Sequence, residues 1–308
     1  MRYLSGLTQA EVCQFASMAV AVEAGCAQQF QHFISNSPWD HAAVIAQIGR
    51  DADQLLGGKP DSCLIIDECS FPKQGDRSVG VARQGSGRLG KVDNCQVAVF
   101  SVLTDGARHA PVDMRLYLPK DWIEDPARCD AAGVPQAARK LTSKSGHALD
   151  IVGQARARGL RFNWVGVDAG YGKEPAFLRG LDAMNEVFVA DVHRTLHVWT
   201  EAPELRVPPS TPGRGRPATK RQAATASVTV EALVATFGMA DWTRCTLRDS
   251  TRGELRVDPR AKPVGMPRTP ASLVVGWRGS DAAVLASDRP PRGGIAEDDQ
   301  IHAVQCPG

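Results

Sequence analysis

The sequence predicts an α/β protein with a mixed sheet, an N-terminal helical head and an inserted subdomain. Three observations support this fold class. Residues 1–60 carry helical periodicity, residues 61–118 carry strand patterns in succession, and residues 135–192 alternate helix with strand. Short connections between successive strands indicate an antiparallel meander. The order strand, strand, strand, helix, strand, helix, strand therefore predicts a mixed sheet.

The helical head covers residues 1–60. A first helix is expected within residues 11–33, which are rich in Ala, Val, Met and Gln. A second is expected to begin at Ser37-Pro38-Trp39-Asp40. There the serine accepts a free backbone N–H, the proline suits the first turn, and the aspartate favours the positive end of the helix. This helix should end at Leu56, before two glycines.

The core is expected at residues 61–200 and begins with strands. Residues 63–67 are a short apolar run that ends in an acid, which is typical of a buried strand. Residues 94–103 and 110–118 are further strands, and Thr104-Asp105-Gly106 between them is a hairpin signal.

The second half of the core alternates between helix and strand. Helical patterning returns at residues 135–158, with Gly159 as the expected C-terminal stop. Residues 162–168 are another apolar run that closes on an acid. A helix at residues 174–185 and a strand at residues 186–192 complete the core.

The last third of the chain has a different composition. Residues 201–222 are a Pro/Gly-rich basic loop, because their prolines lack amide donors and their glycines add chain entropy. Residues 223–280 are expected to form an insertion subdomain with a short helix and strands. Residues 281–308 are expected to hold a last strand and a divergent tail.

Composition excludes several classes of protein. The 308 residues are 43% hydrophobic and carry 36 basic and 34 acidic side chains, which excludes a disordered chain. A net charge of +2 leaves only local basic patches to bind nucleic acid. The eight cysteines form no C-x-x-C pair, so reduced structural cysteines are expected. Without a membrane span or signal peptide, the expected location is the cytoplasm.

Two aspartates have the same setting. Asp67 follows Leu-Ile-Ile and Asp168 follows Trp-Val-Gly-Val, so each is expected at the carboxyl end of an apolar strand. Strand ends are where open α/β sheets present functional groups. If the strands are neighbours, the two carboxylates approach each other and favour a divalent cation such as Mg²⁺ or Mn²⁺. The alternative is that each aspartate only starts a turn.

Motifs along most of the chain resemble transposases of bacterial insertion sequences in the DDE superfamily. They occur in the family's order up to about residue 290. The stretches that carry the resemblance are HFISNSPWD (32–40), IIDECSFPKQG (65–75), SVGVARQ (78–84), GKVDNCQVAV (90–99), RLYLP (115–119), AGVP (132–135), DAGYG (168–172) and GRGRP (213–217).

This resemblance implies an RNase H-like catalytic core that binds and cuts insertion-sequence DNA. In the family the first acid ends the first strand and the second ends the fourth, positions that Asp67 and Asp168 match. It further implies that these acids hold Mg²⁺ or Mn²⁺ for phosphodiester cleavage and strand transfer. The expected partners are the ends of the insertion sequence and further copies of this chain on the DNA.

The third acid of the family, a glutamate on a helix after the insertion, has no counterpart in the sequence. Residues 288–299 do not match the family's motif, and Glu297 is an available acid there. The resemblance therefore predicts a C-terminally truncated and inactive transposase. Two alternatives stay open: a non-catalytic DNA-binding or regulatory remnant, and a metal-dependent nuclease that uses two acids.

Basic residues in two loops are the candidate DNA contacts, because such contacts position a protein on phosphates. A solvated loop is the alternative reading of both groups. They are Lys73, Arg77, Arg83, Arg88 and Lys91 in the first group, and Arg214, Arg216, Lys220 and Arg221 in the second.

Two weaker motifs are not expected to bind ligands. Residues 85–90 match G-x-G-x-x-G, but they precede a strand rather than a helix, so a hairpin loop is favoured over a dinucleotide site. His193 and His197 have the spacing of zinc ligands on a helix, but no third ligand accompanies them.

Overall fold

The computed structural model describes residues 2–23, 25–87, 89–200, 203–209, 219 and 222–236 with their side chains, and residues 245–250, 253–261, 274–278 and 282–286 as backbone strands. The chain divides into two compact units, residues 1–45 and residues 46–308. In these described residues no helix is long and apolar enough to cross a membrane. None of the six cysteines whose side chains are described forms a disulfide.

The N-terminal helices are α1 (Arg2–Gln9), α2 (Phe15–Ala21), α3 (Ala27–Ser35) and α4 (His41–Leu56). The single helix expected at residues 11–33 is wrong, because Val22 and Cys26 are extended and separate α2 from α3. A Cβ atom on Gly25 would lie 2.4 Å from the carbonyl oxygen of Ala19, so the chain turns back tightly there. Helix α4 matches its prediction, but Asp40 rather than Ser37 accepts the N–H of Ala42.

The first four strands are β1 (Cys63–Pro72), β2 (Ala82–Ser86), β3 (Lys91–Thr104) and β4 (His109–Leu116). Strand β3 pairs antiparallel with β1, and its two halves pair with β2 and β4. The predicted meander is confirmed, and the hairpin expected at residues 85–90 joins β2 to β3. Strand β2 itself escaped prediction because its five residues lack an apolar alternation.

The next elements are the helices α5 (Lys120–Ile123), α6 (Pro126–Ala131) and α7 (Lys144–Ala157), the strand β5 (Trp164–Val167), the helices α8 (Ala169–Gly172) and α9 (Pro175–Ala183), and the strand β6 (Phe188–His193). Helix α7 begins nine residues later than expected, because Pro135 and Ser143 are extended and Ser143 caps the helix. Gly159 has a φ of +81° and ends α7 as predicted.

The remaining elements are β7 (His197–Val198), β8 (Leu205–Arg206), β9 (Gln222–Ala223), β10 (Val228–Thr229), α10 (Val230–Ala235), β11 (Cys245–Ser250), β12 (Gly253–Ala261), β13 (Val274–Arg278) and β14 (Ala282–Ala286). Strand β14, the expected last strand, pairs antiparallel with β6. Strands β13, β12 and β11 follow it, so strands expected in an insertion extend the main sheet.

The main sheet has ten strands in the order β11-β12-β13-β14-β6-β5-β1-β3-β2, with β4 beside β3. Pairs β1–β5 and β5–β6 are parallel and the others are antiparallel, so the predicted mixed α/β fold class is confirmed. One face of the central strands packs into the main core with α7 and α9. This core includes Ile66, Val167 and Ala190, and each of them comes directly before an acid.

Candidate active site

The central feature of the site is a register row, by which we mean residues that stand side by side on adjacent parallel strands. Ile66 of β1 pairs with Val167 of β5, which is the last pair of that ladder. Asp67 and Asp168 are therefore neighbours at the carboxyl end of the ladder. Adjacent strands lie about 4.8 Å apart, so the Cα atoms of the two acids are roughly 5 Å apart.

Asp67 lies inside β1 rather than at its end, which corrects the sequence prediction. The strand continues to Pro72 because β3 remains its antiparallel partner as far as Cys95. Only the parallel pairing with β5 stops at Ile66. The acid consequently stands where β1 loses one of its two neighbours, and its side chain is partly buried but reaches solvent.

The carboxyl of Asp67 is in an environment that disfavours its charge. Partial burial raises its pKa, the N–H of Glu68 opposes this through a 2.7 Å hydrogen bond to Oδ1, and the charges of Asp168 and Glu68 raise the pKa further. Repulsion between Asp67 and Asp168 is the expected result of placing two carboxylates at one edge. A bound cation would relieve this repulsion.

Asp168 starts a turn, as the alternative interpretation of the sequence predicted, and it also stands beside Asp67. It is the N-cap of the one-turn helix α8, where its Oδ1 accepts the N–H of Gly170 at 2.9 Å. A Cβ atom on Gly170 would lie 3.0 Å from this oxygen. The Asp-Ala-Gly-Tyr-Gly motif therefore encodes a cap that holds one carboxylate oxygen and orients the other.

Three further residues of this edge were not assigned a role by the sequence. Glu68 lies directly after Asp67, and its Oε2 accepts a 2.6 Å hydrogen bond from Nζ of Lys144 at the start of α7. Tyr171 of α8 is 4% exposed, and its hydroxyl has no hydrogen-bond partner among the described residues. Burial and the charges of Glu68, Asp67 and Asp168 raise the pKa of Tyr171. The adjacent Asp67-Glu68 pair was a signal for Glu68, whereas no local pattern marks Lys144.

The same register row continues to β6. Val167 pairs with Ala190, so Asp191 follows in the row after Asp168. A Cβ atom on Gly172 would lie 1.9 Å from the backbone oxygen of Asp191, so α8 packs directly on this strand. Within the part of the chain that the structure describes, no three His, Cys, Asp or Glu side chains form a group that could hold a metal ion.

The two acids nevertheless fit a hard divalent cation. Backbone N–H groups hold Oδ1 of each carboxylate, and among the described residues Oδ2 of neither acid accepts a hydrogen bond. Carboxylate oxygens are the donors that Mg²⁺ and Mn²⁺ prefer. The donor set that the fold brings together is therefore suited to these ions.

The first group of predicted DNA contacts lies along β1, β2 and β3. Lys73 and Arg77 are exposed in the loop after β1, while Arg83 of β2 and Lys91 of β3 are exposed on the hairpin. Lys91 pairs with Asp93 at 3.0 Å. Arg88 and the whole second group, Arg214, Arg216, Lys220 and Arg221, lie outside the described residues, as does Glu297.

The loop after β1 is held by side chains from elsewhere in the fold. Asn94 donates hydrogen bonds to the carbonyl oxygens of Lys73 and Gly75, at 2.8 and 2.9 Å. Gln96 donates to Val79 and Arg128 donates to Asp76. The exposed Lys73 and Arg77 therefore stand on a fixed backbone.

The two histidines do not lie on a helix. His193 is the last residue of β6 and His197 lies in β7, so the helical spacing of the sequence motif does not apply. Their Nδ1 atoms contact Thr195 Oγ1 at 2.7 Å and Ser227 Oγ at 2.9 Å. These contacts agree with a local structural role.

Comparisons with known proteins identify a family and one relative. Residues 9–254 match the model of the "DDE superfamily endonuclease" family. The chain is 29% identical over 172 residues to the "Probable transposase for insertion sequence element IS701" of Microchaete diplosiphon. That match covers 56% of this chain and 42% of the relative. A match to the NurA nuclease of Sulfolobus solfataricus covers 90% of this chain and 84% of the nuclease, at 9% identity and a TM-score of 0.28, which is too low to indicate a shared fold.

Proposed function

Because this chain belongs to the DDE superfamily endonuclease family, we propose that Asp67 and Asp168 are its catalytic acids and that they bind Mg²⁺ or Mn²⁺. The observation that carries the proposal is the register of β1 and β5, which joins two acids 101 positions apart in the sequence. Each acid also keeps one oxygen without a hydrogen bond from the described residues.

The chemistry follows from what each acid can do. Asp168 is oriented by its cap on α8, and Asp67 is oriented by the N–H of Glu68. A bound divalent ion would activate water or a 3′ hydroxyl for attack on a phosphodiester and would stabilise the leaving oxygen. Such an ion would also relieve the repulsion from Asp168, one of the charges that raise the pKa of Asp67.

DNA is the proposed substrate, and its phosphates are proposed to contact Lys73, Arg77, Arg83 and Lys91. Lys73 lies six residues beyond Asp67 along the chain, or about 20 Å at roughly 3.3 Å per residue. About six nucleotide steps of one DNA strand span that length. A strand cut at the acids would therefore reach the fixed loop. The proposed contacts that rest on the sequence alone are Arg88, Arg214, Arg216, Lys220 and Arg221.

The ends of an insertion sequence are the proposed natural substrate, since the relative from Microchaete diplosiphon is a probable transposase. The chain matches less than half of that relative's length, so strand transfer and assembly of several copies on DNA are part of this proposal. Loss of cleavage activity through the missing third acid stays a prediction as well.

The test combines metal binding with DNA cleavage. Calorimetric titration with Mn²⁺ is expected to show binding to the unaltered chain and at least tenfold weaker binding to Asp67→Ala and Asp168→Ala. Asp93→Ala, at an exposed ion pair away from the register row, is the control and should bind as before. Unchanged Mn²⁺ binding in both variants would overturn the assignment of the acids.

The same proteins are then incubated with supercoiled plasmid and Mg²⁺ or Mn²⁺. Metal-dependent nicking that both substitutions abolish supports a working nuclease, and joined strand-transfer products separate a transposase from a simple nuclease. Plasmid binding without nicking, together with Mn²⁺ binding at the acids, supports the non-catalytic DNA-binding remnant.

A further inference from the structure

The placement of α7 brings Lys144 to the end of the sheet that carries the candidate catalytic acids. The helix ends at Gly159 and leads through a short turn into β5, so its first turn lies at the carboxyl edge of that strand. Its first residue is Lys144, and Nζ lies 2.6 Å from Oε2 of Glu68. Glu68 follows Asp67 in β1, and although alternation turns the two side chains to opposite faces of the strand, the charge of Glu68 still raises the pKa of Asp67.

Helix stability does not explain a lysine at this position. A cation at a helix N-terminus is disfavoured by the helix dipole, and Ser143 already caps α7 by accepting the N–H of Gly146. The ion pair is partly solvated, with Lys144 32% and Glu68 39% exposed, and such pairs contribute little to folding. The ring of Tyr117, 5.8 Å from Nζ, is a second group that holds the ammonium in place.

The charge balance of this end of the sheet favours a further cation when DNA binds. A divalent ion would offset the charges of Asp67 and Asp168, but Glu68 and the incoming phosphodiester would still add two negative charges. A lysine ammonium has three N–H donors and binds phosphate as a point charge. Glu68 occupies one of these donors, which leaves two that a phosphate oxygen can reach without breaking the ion pair.

A second observation indicates that this edge receives a ligand. The hydroxyl of Tyr171 is buried without a hydrogen-bond partner among the described residues, and it lies in the field of Glu68, Asp67 and Asp168. A buried donor without a partner is uncommon in folded proteins and is explained when a ligand or water supplies the partner.

We propose that Lys144 binds the phosphate of the DNA strand at the two acids. This inference rests on the function proposed for Asp67 and Asp168. It assigns Lys144 as a substrate-binding residue.

The test compares two substitutions that break the same ion pair. Lys144→Gln and Glu68→Gln both remove the pair, but only Lys144→Gln removes the phosphate ligand. The control is Lys59→Gln, because Lys59 also forms a 2.6 Å ion pair, with Asp105, and is 40% exposed. Lys59 lies before the first residue of β1, whereas Asp67 lies in the middle of that strand.

Binding is measured by fluorescence anisotropy with a labelled 30-base-pair duplex in Mn²⁺, across a series of salt concentrations. Lys144→Gln is expected to bind about tenfold more weakly and to lower the salt slope by about 1. Lys144→Arg is expected to restore most of the affinity, because a guanidinium also binds phosphate. Glu68→Gln is expected to bind as well as or better than the unaltered chain, since it removes a negative charge.

Equal weakening by Lys144→Gln and Glu68→Gln would overturn the proposal, because it would show that the ion pair acts through folding alone. Unchanged affinity and slope in Lys144→Gln would also overturn it. Urea unfolding of each variant shows whether it folds. Loss of Mn²⁺ binding in Asp67→Ala supports the proposed function independently, so failure at Lys144 is distinguished from failure of the acids.

Discussion

Single residues at the edge of the sheet depart from what folding alone would select. Tyr171 packs its ring 5.4 Å from that of Phe177, yet its hydroxyl is buried and has no hydrogen-bond partner among the described residues. Asp67 and Asp168 place like charges side by side. Such groups cost stability in the free protein, and functional sites are where this cost is commonly found.

Tyr171→Phe tests this cost directly. The substitution keeps the ring and removes only the hydroxyl, so the free energy of unfolding of the metal-free chain should stay unchanged or rise by up to about 1 kcal/mol. Urea denaturation followed by circular dichroism measures it. A loss of more than about 1 kcal/mol would mean that the hydroxyl has a partner in the folded chain.

Asp105, near the amino end of β1, has a lowered pKa, whereas the pKa of Asp67 is raised. The Lys59 ammonium at 2.6 Å and the Arg108 backbone N–H at 2.8 Å hold the pKa of Asp105 well below the usual range. The charged carboxylate therefore stabilises the fold above about pH 4, the unfolded value, and this contribution is lost as the pH falls below it.

Asp105→Asn is expected to lower the free energy of unfolding at pH 7, with the difference from the unaltered chain shrinking steadily below about pH 4. Urea unfolding at pH 7, 4 and 3 measures the trend. Glu124→Gln, at an exposed ion pair with Lys120, is the control and should change little at any of these pH values. A difference for Asp105→Asn that grows on acidification would contradict the assignment.

Among the secondary-structure elements, the one-turn helix α8 has the strongest effect on the site. It begins at the cap Asp168, carries Tyr171 and ends at Gly172. Gly172 lies against the backbone of β6, where a Cβ atom would come within 1.9 Å of the carbonyl oxygen of Asp191. Helix and strand are therefore in backbone contact, and this contact sets the height of Asp168 above the sheet.

Gly172→Ala should displace α8 and weaken both the fold and the site. We expect a loss of about 3 kcal/mol in the free energy of unfolding, because neither backbone can move without breaking its own hydrogen bonds. Mn²⁺ binding should weaken in parallel. Denaturation and calorimetry provide the two measurements.

Gly153→Ala is the matched control, since Gly153 lies inside α7 and a Cβ atom there would meet nothing within 4 Å. It should stabilise the chain by roughly 0.5–1 kcal/mol through helix propensity. Similar effects of the two substitutions would contradict the backbone contact.

At the scale of the whole molecule, the sheet has one face in the core and another that is partly exposed. Alternation along β1 places Leu64 and Ile66 in the core and turns Ile65 and Phe71 outward, where each is 41% exposed. Met114 of β4 is 43% exposed and lies on the same face, since it pairs with Phe100 opposite Asp67. This face is an apolar surface next to the candidate site.

Replacing Ile65, Phe71 and Met114 together by threonine should lower the fluorescence of the dye ANS by about half or more, because exposed apolar surface is what the dye binds. Threonine suits a strand, so the loss in unfolding free energy should stay below about 2 kcal/mol. Leu55→Gln, at a 60% exposed position of α4, is the control and should leave the fluorescence nearly unchanged. Unaltered fluorescence in the triple variant would show that the face is covered in solution.

The sequence by itself determined the local features of this protein and the residue types of its candidate site. Apolar runs and turn residues were enough to predict the strands β1, β3, β4, β5 and β6 and the end of α7 at Gly159. They were also enough to single out the two aspartates. These features depend on a few consecutive residues, through backbone sterics and alternation of side chains. The break between α2 and α3 and the late start of α7 depend on packing and capping, and they escaped prediction.

Only the tertiary structure decided which of those residues meet. The register of β1 against β5 joins Asp67 to Asp168, the position of α7 brings Lys144 to Glu68, and the contact of α8 with β6 orients the cap. Strand pairing and helix packing join positions far apart in the chain, and their energies depend on burial and geometry that no local pattern encodes. The acids were therefore recognisable from the sequence, whereas their charged surroundings were not.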